Sequence, residues 1–199
     1  MNKKNQKRLL KDIVDLIKNP LEDQGIYYKH DENNMLHAWA LVIGPSDTLY
    51  SNGYYLFEIF FPVEYPYAPP KVLFKTNNYN VRFHPNLYRN GKVCLSILNT
   101  WRGEQWTSCQ SIKTVLLTLV TLFHNKPLLN EPGITETYKY FKHYNDIVQF
   151  SNYRTAIIDV LNEKISLDVY NNFKKIIREN FIKNKNNILE RLELLKIAQ

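Results

Sequence analysis

Two residues of this chain could act as thiol nucleophiles, Cys94 and Cys109. A cysteine attacks a carbonyl when its thiolate is accessible and a neighbouring group stabilises the oxyanion that forms. Cys94 lies in Val93-Cys94-Leu95-Ser96-Ile97-Leu98, an apolar run in which a cysteine is more often a core residue. The stretch 76–108 around it has little regular periodicity. A long irregular stretch inside a compact domain is usually functional, which draws attention to Cys94 and to His84-Pro85-Asn86 upstream. A papain-like protease fits poorly. His124 and His143 lie downstream as candidate bases, but Cys94 does not open a helix behind a Gly-rich elbow. No Cys-x-x-Cys pair exists and the five histidines are scattered, so no metal site is expected. Two cysteines also make a disulfide scaffold a poor reading.

The elements that must position these residues follow from periodicity and turn signals. Leu9, Leu10, Ile13, Val14, Leu16 and Ile17 recur at helical spacing and stop at Asn19-Pro20, which predicts an amphipathic helix with a basic outer face. Segments 26–30, 36–43, 54–61 and 71–75 are rich in Tyr, Phe, Ile and Val. They are separated by Asp31 to Asn34, Gly44-Pro45 and Ser51-Asn52-Gly53, the pattern of an antiparallel meander. Pro62, Pro66, Pro69 and Pro70 keep most of 60–70 out of any central strand and make it a stiff loop. Thr107 with Gln110 three residues on has the pattern of a capping box opening a helix through Phe123 that ends before Pro127. Asn130-Glu131-Pro132-Gly133 is a turn, and 145–162 and 167–197 read as further helices. The charged, Leu-rich end, Asn184 to Leu195, has two open readings: docking on the core or binding a partner. The length of 199 residues suits one domain of about 150 residues with an appendage.

The net charge is +7, with basic residues concentrated near the ends. A nucleic-acid module is one reading. It is disfavoured because aromatic residues do not interleave with the basic ones as stacking platforms; a protein partner with an acidic groove fits at least as well. No apolar run reaches the roughly 18 residues that span a bilayer, so no membrane is expected. The start of the chain lacks the uninterrupted apolar segment of a signal peptide. The expected location is the cytosol or nucleus.

Taken together, Phe61-Pro62-x-x-Tyr65-Pro66-x-x-Pro69-Pro70-Lys71-Val72-x-Phe74, His84-Pro85-Asn86, and Asn90-Gly91-Lys92-Val93-Cys94-Leu95 with a following Trp and helix closely resemble the ubiquitin-conjugating family. Order and spacing match, including the eight residues from Asn86 to Cys94, over roughly 7–150. Leu87 to Leu98, Thr100-Trp101 and Asn130-Glu131-Pro132-Gly133 resemble a narrower branch: a large member served by a second ubiquitin-activating enzyme. The resemblance implies an α+β fold, a four-stranded antiparallel meander flanked by helices, with a catalytic core at 1–150 and a C-terminal helical extension at 151–199. It implies a thioester carrier. Cys94 would accept ubiquitin, or another ubiquitin-like protein, from an activating enzyme and yield it to a substrate lysine, usually with a ligase. No cofactor is implied, since the activating enzyme consumes ATP. A scaffold variant would lack the cysteine, which this chain retains.

The resemblance also assigns residues. Asn86 would donate to the oxyanion, hold the active-site loop, or both. His84 would brace its loop rather than act as base, and Pro85 fixes the turn. Glu131, or Asn130 by a one-residue shift, falls near the acidic position that orients the incoming lysine; either it plays that part, or the role is absent and the segment is only a helix-terminating turn. Lys7, Arg8 and Lys11 match the helix that meets the activating enzyme. Pro66, Tyr67 and Ser108 match ligase-contacting loops, although Trp106-Thr107-Ser108-Cys109 lacks the family's proline there. Thr114, Leu117 and Thr121 match the helix face that cradles the donor. The stretch between Cys94 and Trp106 carries about four extra residues near Asn99 to Gln105. Tyr27-Tyr28 replaces the small residue many relatives use for a second ubiquitin contact behind the sheet.

Overall fold

The computed structural model describes residues 1–77 and 80–197. Positions 78 and 79 of the irregular stretch, and 198 and 199 of the extension, lie outside the described residues. Four strands, β1 (Ile26–His30), β2 (His37–Ile43), β3 (Tyr54–Phe60) and β4 (Lys71–Phe74), pair antiparallel in chain order. This is the expected meander.

Alternation along the strands sorts side chains onto two faces. Ala38, Ala40 and Val42 of β2, with Tyr55, Phe57 and Ile59 of β3, join one cluster. Leu41 of β2, with Tyr54 and Leu56 of β3, joins a second. Both faces are covered, so β3 reads as a nearly continuous apolar run instead of alternating with polar residues.

The first cluster is closed by α1 (Lys3–Lys18) and α2 (Ile112–Val120). Asn2 caps α1 by accepting from the Asn5 N–H at 2.8 Å, and the helix ends at Asn19 ahead of Pro20. Only half of its periodic apolar residues go inward. Leu9, Ile13 and Leu16 are buried, whereas Leu10, Val14 and Ile17 are exposed, Ile17 at 67%. The outer face is therefore an apolar stripe among lysines and not simply basic. The helix α2 opens at Ile112, not at Thr107. The Thr107 N–H does bond to the Gln110 side chain at 3.3 Å, but the pair closes a turn. The cap is Ser111, whose N–H bonds to Thr114 Oγ1 at 3.4 Å.

The second cluster belongs to the C-terminal segment. Helix α3 (Phe141–Ser151), which starts earlier than its periodicity suggested, widens into a π-helix at Asn152–Asp159. After a short link, α4 (Leu167–Ile197) crosses the outer face of the sheet. Ile157, Val160, Val169, Tyr170, Phe173 and Ile177 pack over Leu41, Tyr54 and Leu56. Hydrogen bonds pin the segment to the sheet: Ser166 Oγ donates to the Lys75 carbonyl at 2.7 Å, Tyr54 Oη to Asn180 Oδ1 at 3.2 Å, and Arg191 to the Ser46 carbonyl. Of the two readings of the Leu-rich end, docking is the one seen, with Ile188 buried in this cluster.

Candidate active site

Cys94 follows directly on a small hairpin that the periodicity did not reveal. Leu87 bridges Val93, Tyr88 bonds to the Lys92 carbonyl at 2.9 Å, and Asn90-Gly91 makes the turn. Asn-Gly is a strong hairpin signal, although here Arg89 and Lys92 flank it before the apolar Leu87 and Val93. Gly91 has φ +86, and an added Cβ would lie 2.9 Å from the Phe74 carbonyl oxygen. Only glycine fits, because the Gly91 carbonyl must accept the Phe74 N–H at 2.7 Å to tie the hairpin to β4.

Asn86 grips the peptide of Cys94 at both ends. Its carbonyl accepts the Cys94 N–H at 2.9 Å, and its Nδ2 donates to the Cys94 carbonyl at 2.6 Å. Its Oδ1 is buried without a partner. Both residues are nearly inaccessible, Asn86 at 5% and Cys94 at 2%. His84 sits behind them. Its Nδ1 accepts the Asn86 N–H at 3.0 Å, so the neutral ring carries its proton on Nε2. Burial pushes its pKa down to about 3, with His124 and Arg82 adding to the shift. The ring is neutral and buried, and its Nδ1 is already taken by the loop's own backbone.

Asn130 and Glu131 are tied to this loop. Arg82 donates to the Pro85 carbonyl, stands 4.4 Å over the Tyr88 ring, and lies 3.5 Å from Glu131 Oε2. His124, edge-on to His84 at 5.9 Å, has its Nε2 3.1 Å from Asn130 Oδ1. Glu131 and Asn130 thus connect to the His84–Asn86 segment through Arg82, which sequence reasoning did not single out, and His124, which it weighed only as a protease base. The four extra residues fold against the ridge: Asn99 Oδ1 accepts the Trp106 N–H at 2.9 Å, and Gly103 approaches Ser96.

The other assigned residues sit on the surface around this centre. Lys7 and Lys11 are exposed on α1 beside Leu10 and Val14. Arg8 is different. It bonds to Asp12 at 3.0 Å and donates to the Ser108 and Gln110 carbonyls at 2.6 Å each, clamping α1 to the loop ahead of α2. Pro66 is buried, its carbonyl accepting from Trp106 Nε1 at 2.7 Å, while the neighbouring Tyr67 is 61% exposed. Ser108 is exposed. Thr114 and Leu117 are half-buried and Thr121 is exposed along α2.

A family model described as "Ubiquitin-conjugating enzyme" matches residues 8–154. The chain belongs to the ubiquitin-conjugating enzyme family. It is 41% identical to "Ubiquitin-conjugating enzyme E2 Z" of Danio rerio over 80% of this chain and 49% of the relative. It is 37% identical to "Probable ubiquitin-conjugating enzyme protein 17" of Caenorhabditis elegans over 97% of this chain and 27% of that protein. A third relative is human "Dual E2 ubiquitin-conjugating enzyme/E3 ubiquitin-protein ligase BIRC6", 44% identical over 54% of this chain and 2% of the relative. The narrower branch suggested by Leu87 to Leu98 is that of E2 Z. The chain spans about half the length of the E2 Z relatives it matches.

In this member of the family the outer face of the sheet is occupied. Tyr27, Trp39 and Ile43 are partly buried against the C-terminal segment. Among the described residues no helix is long and apolar enough to cross a membrane.

Proposed function

We propose that this chain carries ubiquitin, or a close ubiquitin-like relative, as a thioester on Cys94 and delivers it to a lysine, usually with a ligase. The observation that carries the reading is the double grip of Asn86 on the Cys94 peptide, which holds a side-chain amide donor against the backbone of the residue that would react.

In the first step the Cys94 thiolate attacks the thioester carbonyl that joins the modifier's C-terminal glycine to the activating enzyme's cysteine. A C–S bond to Cys94 forms, the old C–S bond breaks, and the activating enzyme departs as a thiolate. In the second step a lysine amine attacks the same carbonyl. A C–N bond forms, the C–S bond to Cys94 breaks, and the amine's surplus proton passes to solvent. The lysine, with an ordinary pKa near 10.4, must arrive neutral. Glu131, held by Arg82 at 3.5 Å, orients it, with Asn130 beside it. Asn86 stabilises the oxyanion in this step and His84 keeps the loop in shape.

Lys7 and Lys11, with the Leu10–Val14–Ile17 stripe between them, face the activating enzyme, where complementary charge speeds encounter. Arg8 sets the angle of that helix against the ligase-facing residues Pro66, Tyr67 and Ser108. Thr114, Leu117 and Thr121 receive the donor. Residues 1–150 are the catalytic core and 151–199 an extension whose described part packs on the outer face. The protein works in the cytosol or nucleus. A charging assay tests the reading: protein, ubiquitin, ATP and each activating enzyme in turn, on gels with and without reductant. A reducible adduct of one ubiquitin, lost in Cys94→Ala, is expected. Its absence with every activating enzyme and modifier tried would overturn the reading.

A further inference from the structure

Thr100 stands at the head of the four-residue insertion, six residues past the nucleophile, and its hydroxyl reaches back to the ridge. Oγ1 accepts the Leu95 N–H at 3.0 Å and lies 3.0 Å from the Val93 carbonyl and 3.2 Å from the Leu95 carbonyl. A hydroxyl has one proton to give. The nearer Val93 carbonyl takes it, because the Thr100 N–H already serves the Leu95 carbonyl at 3.2 Å. The residues on either side of Cys94 are therefore bonded to one side chain. Cys94's own N–H and carbonyl are bonded to Asn86 from the other side. Between them the two residues account for the N–H groups of 94 and 95 and the carbonyls of 93, 94 and 95.

The insertion keeps Thr100 in place. Asn99 takes a left-handed turn at φ 56, its side chain closes the loop onto Trp106, and Gly103, at φ +127, brings the loop within contact of Ser96. Leu95 is 6% exposed, so no solvent would replace the lost partner of its N–H.

We propose that Thr100 is a positioning residue for the transfer reaction: its hydroxyl fixes the peptides that flank Cys94 and so sets the direction from which the thiol meets the thioester carbonyl. The inference rests on Cys94 being the carrier thiol. Small errors of aim at a reacting atom are costly, on the order of 100-fold for about 1 Å, and a loosened ridge also uncovers a thiol that is now buried.

The test compares Thr100→Val, which keeps the shape and removes the hydroxyl, with Thr100→Ser, which keeps the hydroxyl. Both are made in the full chain carrying Cys109→Ser, so that Cys94 is the sole thiol. Three quantities are measured: single-turnover charging and discharge to free lysine, alkylation of Cys94 by iodoacetamide, and thermal midpoint. Thr100→Val is expected to slow charging and discharge by about tenfold while alkylating faster than the parent, with Thr100→Ser close to the parent in both. A general loss of stability would also slow transfer and speed alkylation of a thiol only 2% exposed, so the opposite movement is expected at an unchanged thermal midpoint, which assigns it to the ridge. Wild-type transfer rates in Thr100→Val would overturn the proposal, as would equal slowing in both variants alongside a lowered midpoint. If the parent chain takes no modifier at all, the carrier reading fails. The alkylation rates then still judge the hydroxyl's hold on the ridge, and equal rates in Thr100→Val and parent would overturn it.

Discussion

Hydrogen bonds from Asn86 and Thr100 hold the ridge around Cys94, whereas on the outer face Leu41, Tyr54 and Leu56 are covered chiefly by apolar side chains such as Val169, Phe173 and Ile177. The two regions hang on the same sheet and answer to different physics. Hydrogen bonds are directional and leave a costly orphan when one partner goes, so the ridge holds a geometry. Apolar packing is non-directional and scales with buried area, so the outer face supplies stability. Ridge substitutions should therefore register in rates, and outer-face substitutions in unfolding.

The sharpest break between the two regions is Phe173→Ala. Phe173 is 2% exposed, and emptying such a site costs about 3–5 kcal/mol. Denaturant unfolding should report that loss, while the folded fraction should still charge at the parent rate. A charging defect in the folded protein would join the two regions instead of separating them. On the ridge, Asn86→Ala loses its side-chain bond to the Cys94 carbonyl and should slow charging by about tenfold, as Thr100→Val does, while discharge to lysine slows by roughly 10²–10³, the usual cost of one oxyanion donor. Single-turnover rates check this, and equal loss in both steps would make Asn86 a holder of the loop only.

His84 links the ridge to stability through pH. Its folded pKa of about 3 lies below the ordinary 6.5, so below 6.5 the unfolded chain binds a proton that the folded chain refuses. Stability from this group is present in full above 6.5 and is lost as pH falls from there toward 3. Between pH 7.5 and pH 5 the loss is about 2 kcal/mol. Over that interval denaturant unfolding should show the parent losing more stability than His84→Asn by that amount. Equal losses in the two would mean that His84 keeps its ordinary pKa in the fold. The smallest effect concerns the true start of α2. Ser111→Ala should cost about 1 kcal/mol, and Thr107→Ala a few tenths, by thermal unfolding. The reverse order would restore Thr107 as the cap.

What was legible in the sequence divides along the same line. The four strands and their order followed from Tyr, Phe, Ile and Val runs between clear turns. The ridge residues stood out because His84, Asn86 and Cys94 sit in a segment with no periodicity to explain them. The outer face was harder. Tyr54 and Leu56 alternate with Tyr55 and Phe57 in one unbroken apolar run, which says that both faces are buried but not by what. That α4 is the cover depends on contacts more than a hundred residues apart, such as Tyr54 with Asn180. Local signals misled where two solutions compete. Thr107 and Gln110 do bond, yet Ser111 caps, because the chain turns once more before the helix begins. Leu10, Val14 and Ile17 share the period of the core residues, yet they are exposed among the described residues. Arg8 reads as part of a partner-facing helix and Arg82 does not stand out, since a guanidinium's carbonyl partners cannot be read from spacing.

Whether Cys94 itself forms the thioester is tested most directly by intact-mass measurement and peptide mapping after charging Cys109→Ser and Cys94→Ser side by side. On Cys109→Ser one modifier is expected, mapped to Cys94 and released by thiol reductant. On Cys94→Ser the expected result is either no adduct or an oxygen ester on the introduced serine that the reductant leaves intact. A reductant-sensitive adduct that persists in Cys94→Ser, mapped to Cys109, would contradict the assignment of Cys94 as the carrier.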